Sequence, residues 1–312
     1  MLQQTQVATA TAHFHRFLAR FPSLPDLAAA SQDEVLALWS GLGYYSRAKN
    51  LHACAQAVVK VHGGRFPMSA QALEQLPGIG PSTAAAIASF CFGQRVSIFD
   101  GNVQRVVARL TGFSGDLAQA AERRELHRLA ATGLPDGASA MPTHTQALMD
   151  LGATVCLPRK PLCGVCPFQL DCQARLANAP LSFPVQTKKL TRKGIRITWL
   201  CLWQEGKLWM TRRPDKGIWA SLWTPPQCDA QAFRDWHQAQ PLGGNLVHQG
   251  VFKHVLSHRD LFIEAIHAPW REEFSEWAGE SGRWAGAQDL LDMGIPSAVL
   301  QCTGFDRQAA AR

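Results

Sequence analysis

From Thr5 to about Cys172, apolar residues recur at steps of three and four, as in the run from Gln71 to Leu76 and at Val103, Val106, Val107 and Leu110. That spacing predicts a succession of short helices, each burying one face. Beyond it the pattern changes. Ile195 to Trp203 and Lys207 to Arg212 are dominated by β-branched and aromatic residues, and Glu205 and Gly206 lie between them. Two strands paired through a tight turn are expected there, within a smaller mixed α/β region. The stretch from Gln173 to Arg196 carries Arg175, Lys188, Lys189, Arg192, Lys193 and Arg196 with no acidic residue, together with Pro180 and Pro184. It reads as a basic linker. The expected boundaries are a helical domain over 1–178, a linker over 179–194 and an α/β domain over 195–312. Apart from an Ala/Arg-rich tail, no repeat or low-complexity tract interrupts the chain.

Composition sharpens this picture in three ways. At roughly 150 residues per domain, 312 residues imply two cores, and 46% hydrophobic residues exclude wholesale disorder. A net charge of +7, with 31 Lys and Arg against 24 Asp and Glu, makes a polyanionic partner plausible. No run approaches the ~18 consecutive apolar residues of a membrane-spanning helix, and the first residues lack the basic start of a secretory signal. A soluble, intracellular protein is expected. Nine cysteines, an odd number in so long a chain, argue for a reducing compartment and another use for the thiols.

Four of them are clustered. Cys156, Cys163, Cys166 and Cys172 have six, two and five residues between them, so one loop can bring four thiolates to a common centre. Soft sulfur ligands suit zinc or an iron–sulfur cluster, and structural zinc more often uses two CxxC pairs than the single one present here. Four unrelated buried cysteines are the bland alternative, which Pro158, Pro161, Gly164 and Pro167 between them disfavour. Upstream, Leu76 to Thr83 reads LPGIGPST. Gly78 and Gly80 let the backbone approach a ligand, and Pro81 opens a helix running to about Gly93, whose free N–H groups can face a phosphate. On its own this reads either as a helix-hairpin-helix, a sequence-independent grip on DNA, or as an ordinary corner between two helices. Asp100 then precedes Gly101, Asn102 and an apolar-striped helix. On spacing alone it is a helix N-cap or a functional carboxylate.

The order of these pieces, LPGIG, a helix, the strand-like VSIFD and a four-cysteine loop about fifty residues on, resembles the helix-hairpin-helix DNA glycosylase superfamily. Within it, MLQQTQV (1–7), GLGYYSRAKNLH (41–52), FDGNVQRV (99–106) and MDLGATVC (149–156) resemble the adenine DNA glycosylases, the MutY family. In the C-terminal half, GIWASLWTPPQ (217–227) and FKHVLSH (252–258) resemble that family's Nudix-like domain. The resemblance covers nearly the whole chain. It implies a mainly α glycosylase domain with an iron–sulfur cluster loop, plus a C-terminal α/β Nudix-like domain.

It also implies a reaction. Adenine mispaired with 8-oxoguanine or guanine is flipped out of the duplex and removed through an oxocarbenium-like state. By carry-over, Asp100 stabilises the cationic sugar and Asn102 holds Asp100 in place. Ser82 stands where lyases resembling endonuclease III place a Schiff-base lysine, so the chain is expected to be monofunctional. Gln3, Gln4 and Tyr44 are expected to enter the duplex, Gly78 and Gly80 to hold its backbone, and Arg47 and Lys49 to meet phosphates. Tyr45 reads as a buried aromatic against Trp39. Ser257, beside Leu256 and His258, is the implied reader of 8-oxoguanine. Cys156, Cys163, Cys166 and Cys172 become the ligands of a [4Fe-4S] cluster. The Nudix-like half offers Asp229 and Asp235 but no glutamate cluster, so pyrophosphohydrolase activity is not expected.

The family's general acid, a glutamate, lies two residues before the methionine that is Met1 here, so poor excision by the chain as written is a further expectation. The partner implied is double-stranded DNA carrying an A:8-oxoguanine or A:G mispair, bound by a monomer. Rival readings are a non-catalytic mismatch-binding protein and a glycosylase/lyase like endonuclease III.

Overall fold

The computed structural model describes residues 1, 5, 7–187, 191–239, 246–279 and 281–304. The helical half runs through α1 (Val7–Arg20), α2 (Leu24–Ala29), α3 (Gln32–Trp39), α4 (Ser46–His62), α5 (Ala70–Leu73), α6 (Pro81–Phe92), α7 (Gly101–Thr111), α8 (Ala120–Thr132), α9 (Met141–Asp150) and α10 (Gln173–Leu176). Local chemistry fixes many of their ends. Ser23 with Asp26, and Ser31 with Glu34, form reciprocal capping boxes at the starts of α2 and α3. Gly93 and Gly112 close α6 and α7 at φ +62° and +63°, a conformation that costs glycine little. The VSIFD segment, expected to be strand-like, has no regular secondary structure and pairs with no strand among the described residues. Its N–H and C=O groups instead serve α6 and α8: Phe99 N–H donates to Ser82 Oγ, and the Ser97 carbonyl meets His127.

The chain divides into two compact units, Ala57–Lys189 and Met1–Gln56 together with Leu190–Arg312. The first is helical. Ala85, Ile98, Val103, Val107, Ala108, Leu117, Leu126 and Ala130 form a core there, drawn from α6, α7, α8 and the segments between them. The stretch read as a basic linker is partly structured within this unit: it contains α10, a 3₁₀ turn at Pro180–Ser182, and Val185 and Thr187 bonded back to Leu117 and Asp116.

The second unit holds a mixed sheet. Its elements are β1 (Lys193–Gln204), β2 (Lys207–Arg212), β3 (Trp223–Thr224), β4 (Gln227–Cys228), α11 (Ala230–Ala239), β5 (Val247–Val255), β6 (Arg259–Pro269), α12 (Ser275–Ala278), β7 (Gly282–Ala285), α13 (Ala287–Asp292) and α14 (Ser297–Thr303). The expected β1–β2 hairpin is present, turning at Glu205 and Gly206. Strand order is β3-β2-β1-β6-β5, with β1 and β6 parallel and the remaining pairs antiparallel. Because side chains alternate along a strand, β1 and β6 feed two cores. Ile197, Trp199, Cys201, Leu261, Ile263 and Ala265 pack with α13 and α14, whereas Leu200, Leu202 and Ile266 pack with Phe233 of α11 and Phe274.

A third core in this unit joins Phe17, Val35, Leu36 and Trp39 of the N-terminal helices to Leu222 of the sheet region. There a Cβ at Gly294 would stand 2.6 Å from Leu36 Cβ, so only glycine lets these segments meet. Among the described residues no helix is long and apolar enough to cross a membrane.

Candidate active site and cysteine centre

In the helical unit the hairpin between α5 and α6 is anchored by Leu73 and Leu76, both buried. Ile79 N–H donates to Leu76 O at 3.2 Å, and Gly78 turns the chain at φ +74°. Gly80 caps α6, and a Cβ there would meet nothing within 4 Å, so the backbone stays open to a close approach. Ser82, the second residue of α6, accepts from Phe99 N–H at 3.2 Å and so ties the hairpin to the residue before Asp100.

Asp100 caps α7. Its Oδ1 accepts from Val103 N–H at 2.8 Å, and its carboxylate receives no other hydrogen bond among the described residues. One oxygen is thus fixed while the second is left over. No hydrogen bond joins Asn102 to it among the described residues. Instead Asn102 Oδ1 accepts from Arg105 Nη2 at 2.9 Å. Arg105, buried one turn along α7, also donates to Gly152 O and Cys156 O, each at 2.7 Å, and to Gly101 O at 3.5 Å. One guanidinium therefore links the start of α7 to the approach of the cysteine loop. Burial and the neighbouring Arg109 push its pKa down, a shift that Cys156 and Asp100 only partly offset. Gly152 lies so close that an added Cβ would stand 2.7 Å from Asn102 Cβ.

One further turn along, Arg109 is 3% exposed. It donates to Cys156 Sγ at 3.3 Å, to Leu157 O at 2.8 Å, to Pro158 O at 3.1 Å and to Phe183 O at 3.1 Å, and its own carbonyl accepts from Cys172 Sγ at 3.3 Å. Cys156, Cys163, Cys166 and Cys172 all line one pocket, partly open to solvent, with Arg109, Leu151 and Leu162. Burial raises the Cys166 thiol, and the three neighbouring sulfurs add to the rise because like charges gathered together repel. No three His, Cys, Asp or Glu side chains among the described residues converge tightly enough to ligate one ion. The four sulfurs surround a space instead. That donor set fits a polynuclear sulfur-ligated group.

In the sheet-bearing unit, Tyr44 is 46% exposed and held at φ +47°, a conformation unfavourable for a bulky residue. Ser257 Oγ donates to Tyr44 OH at 2.7 Å, so two residues expected to meet the 8-oxoguanine region are already in contact. His258 is exposed beside them.

Arg47 departs from its expected phosphate role. Its guanidinium donates to Met1 O, Thr5 Oγ1, Leu42 O and Gly43 O and lies over the rings of Trp39 and Tyr44, at 5.3 and 5.4 Å from their centroids. The turn around Gly41 and Gly43 presents carbonyls inward, and a planar five-donor group saturates them. Lys49 is likewise turned inward, onto Ser221 Oγ at 3.0 Å and Asp215 O at 3.3 Å. Tyr45 is half-buried beside Trp39, as expected, and donates to Ile295 O at 2.7 Å. Gln3 and Gln4 lie outside the described residues.

Arg105 and Arg109 were absent from the expected site. The signal for them was two arginines four residues apart inside the apolar stripe of α7, where a charge has to find partners.

Residues 1–131 match the family described as HhH-GPD superfamily base excision DNA repair protein, and residues 198–303 match the NUDIX domain. The chain is 32% identical over 309 residues to an adenine DNA glycosylase of Buchnera aphidicola, covering 96% of this chain and 86% of the relative. A human adenine DNA glycosylase is 47% identical over 176 residues, covering 56% of this chain and 32% of that protein. Among solved structures, a thermostable thymine-DNA glycosylase matches with a TM-score of 0.51 at 28% identity, covering 56% of this chain and 80% of that one.

Proposed function

The chain belongs to the adenine DNA glycosylases, within the HhH-GPD superfamily of base excision repair proteins, and we propose that it releases adenine mispaired with 8-oxoguanine or guanine. As a DNA glycosylase it hydrolyses an N-glycosyl bond. The observation that carries the assignment of its centre is the Asp100 carboxylate, fixed through one oxygen by the Val103 amide and bonded at the other to none of the described residues.

In this reading the hairpin at Gly78 and Gly80 holds the backbone while the target nucleotide leaves the stack. As the bond from the sugar to adenine stretches, positive charge grows on the sugar, and the free oxygen of Asp100 faces it. Water then adds to the sugar carbon and loses a proton, and adenine departs with its electron pair and gains one. Arg105 and Asn102 keep the first turn of α7 from shifting under that load. Ser82 offers a hydroxyl where a lyase needs an amine, so no imine to the abasic sugar forms and the strand stays intact. Tyr44 and Ser257 meet the opposite base, with Gln3, Gln4 and His258 alongside.

We further propose that Cys156, Cys163, Cys166 and Cys172 hold a [4Fe-4S] cluster, which braces the loop that Arg109 grips. The functional modules proposed are 1–178, 179–194 and 195–312, in a monomer working on nucleoid DNA in a bacterial cytoplasm.

The test is single-turnover release of adenine from duplexes carrying A:8-oxoguanine, A:G or A:T, with the abasic product checked for strand nicking. Release from the first two without nicking supports the reading, and the same assay on a chain extended upstream by the family's glutamate segment measures that segment's effect. Mismatch binding without release by either chain would favour a non-catalytic binder, and borohydride trapping of a covalent adduct would favour a lyase.

A further inference from the structure

The turn between β5 and β6 that carries Ser257 is bordered by like charges. Lys193 N–H donates to His258 O at 3.3 Å, which brings the start of β1 against this turn. Lys193 then stands directly opposite Arg259 in the parallel β1–β6 register. Like charges facing each other across a sheet pair destabilise it, and carboxylates are the ordinary remedy. None is supplied. Arg192, Lys193 and Arg259 are all exposed, and none of the three forms an ion pair among the described residues. The adjacent carboxylate, Asp260, is taken by Lys253 at 2.7 Å.

We infer that Lys193 and Arg259 form a phosphate clasp on the edge of the Ser257 turn, gripping the sugar-phosphate backbone of the strand whose base Ser257 faces. The choice of strand rests on the proposed reading of Ser257; the phosphate contact itself does not. A phosphate between two cations turns a repulsive pair into two charge-assisted hydrogen bonds. Fixed beside the reading loop, it would register the duplex for base inspection without contributing sequence information.

The full chain is titrated by fluorescence anisotropy with an A:8-oxoguanine duplex and the matched undamaged duplex at several salt concentrations. Two phosphate contacts contribute about 1.8 to the slope of log affinity against log salt. The Lys193→Gln/Arg259→Gln double variant is expected to show a slope shallower by that amount. Its deficit relative to the parent then shrinks about 12-fold between about 50 and 200 mM salt, and both duplexes lose affinity by the same factor.

Lys193→Glu provides the folding control, since it pairs with Arg259. Its melting temperature should hold or rise while DNA affinity falls. An unchanged salt slope in the double variant, or a loss confined to the damaged duplex, overturns the clasp. Ser257→Ala run in parallel should weaken only the A:8-oxoguanine duplex. If it alters nothing while the slope still flattens, the reading of Ser257 fails and the phosphate contact stands.

Discussion

Replacing Gly152 by alanine tests the junction between the start of α7 and the cysteine loop. The new methyl would stand 2.7 Å from Asn102 Cβ and 3.4 Å from Asn102 backbone atoms. Carbon atoms settle at about 3.5–4.0 Å, so the two segments must part by about 1 Å. Gly152 is not at positive φ, so the backbone itself accepts alanine and the effect is steric. Overpacking of this kind costs about 1–3 kcal/mol. At about 2–4 °C per kcal/mol for a chain of this size, a melt should register it.

The larger effect should fall on chemistry. Asn102 sits two residues from Asp100, and Gly152 O is one of the acceptors that hold Arg105. A misplacement of about 1 Å at a catalytic group can cost about 10²-fold in rate. Gly152→Ala should therefore lower single-turnover adenine release by about that factor while duplex affinity changes little. A variant that melts and turns over like the parent would refute the claim that this contact positions Asp100.

Two other outcomes are expected. Protein purified under reducing, anaerobic conditions should be brown and carry about four iron atoms per chain; Cys166→Ser should lose iron and colour, and stoichiometric zinc would contradict the assignment. Burial pushes His144, His254 and His267 below their ordinary pKa. The unfolded chain then takes up protons at about pH 6.5, before the folded one does. The stability these residues contribute is complete above that pH and is lost as pH falls toward their folded values. Melting temperature should drop between about pH 7 and 5, His144→Gln should flatten part of the drop, and a flat or rising profile would exclude the mechanism.

Much of this architecture was legible in the sequence because it is written in local pattern. The hairpin glycines, the Pro81 start and the Gly93 stop of α6, and the β1–β2 turn all follow from the conformations single residues favour. The spacing of four cysteines likewise pointed to one centre. What was not legible depends on contacts between distant segments. No periodicity shows that Leu36 meets Gly294 and Leu222, or that β1 pairs in parallel with β6. Arg47 looked like a phosphate ligand because its type and position suited one, but the carbonyls around Gly41 and Gly43 claim it first. Asn102 is held by Arg105 rather than bonded to Asp100, a relation set by the fold of 152–156 and invisible in FDGNVQRV itself.

The most direct measurement is adenine release by Asp100→Asn. Asparagine can still accept from Val103 N–H and keep α7 capped, so fold and duplex affinity should persist while the negative charge is gone. Release from the A:8-oxoguanine duplex should fall to background, and turnover close to that of the parent chain would show that the chemistry is centred elsewhere.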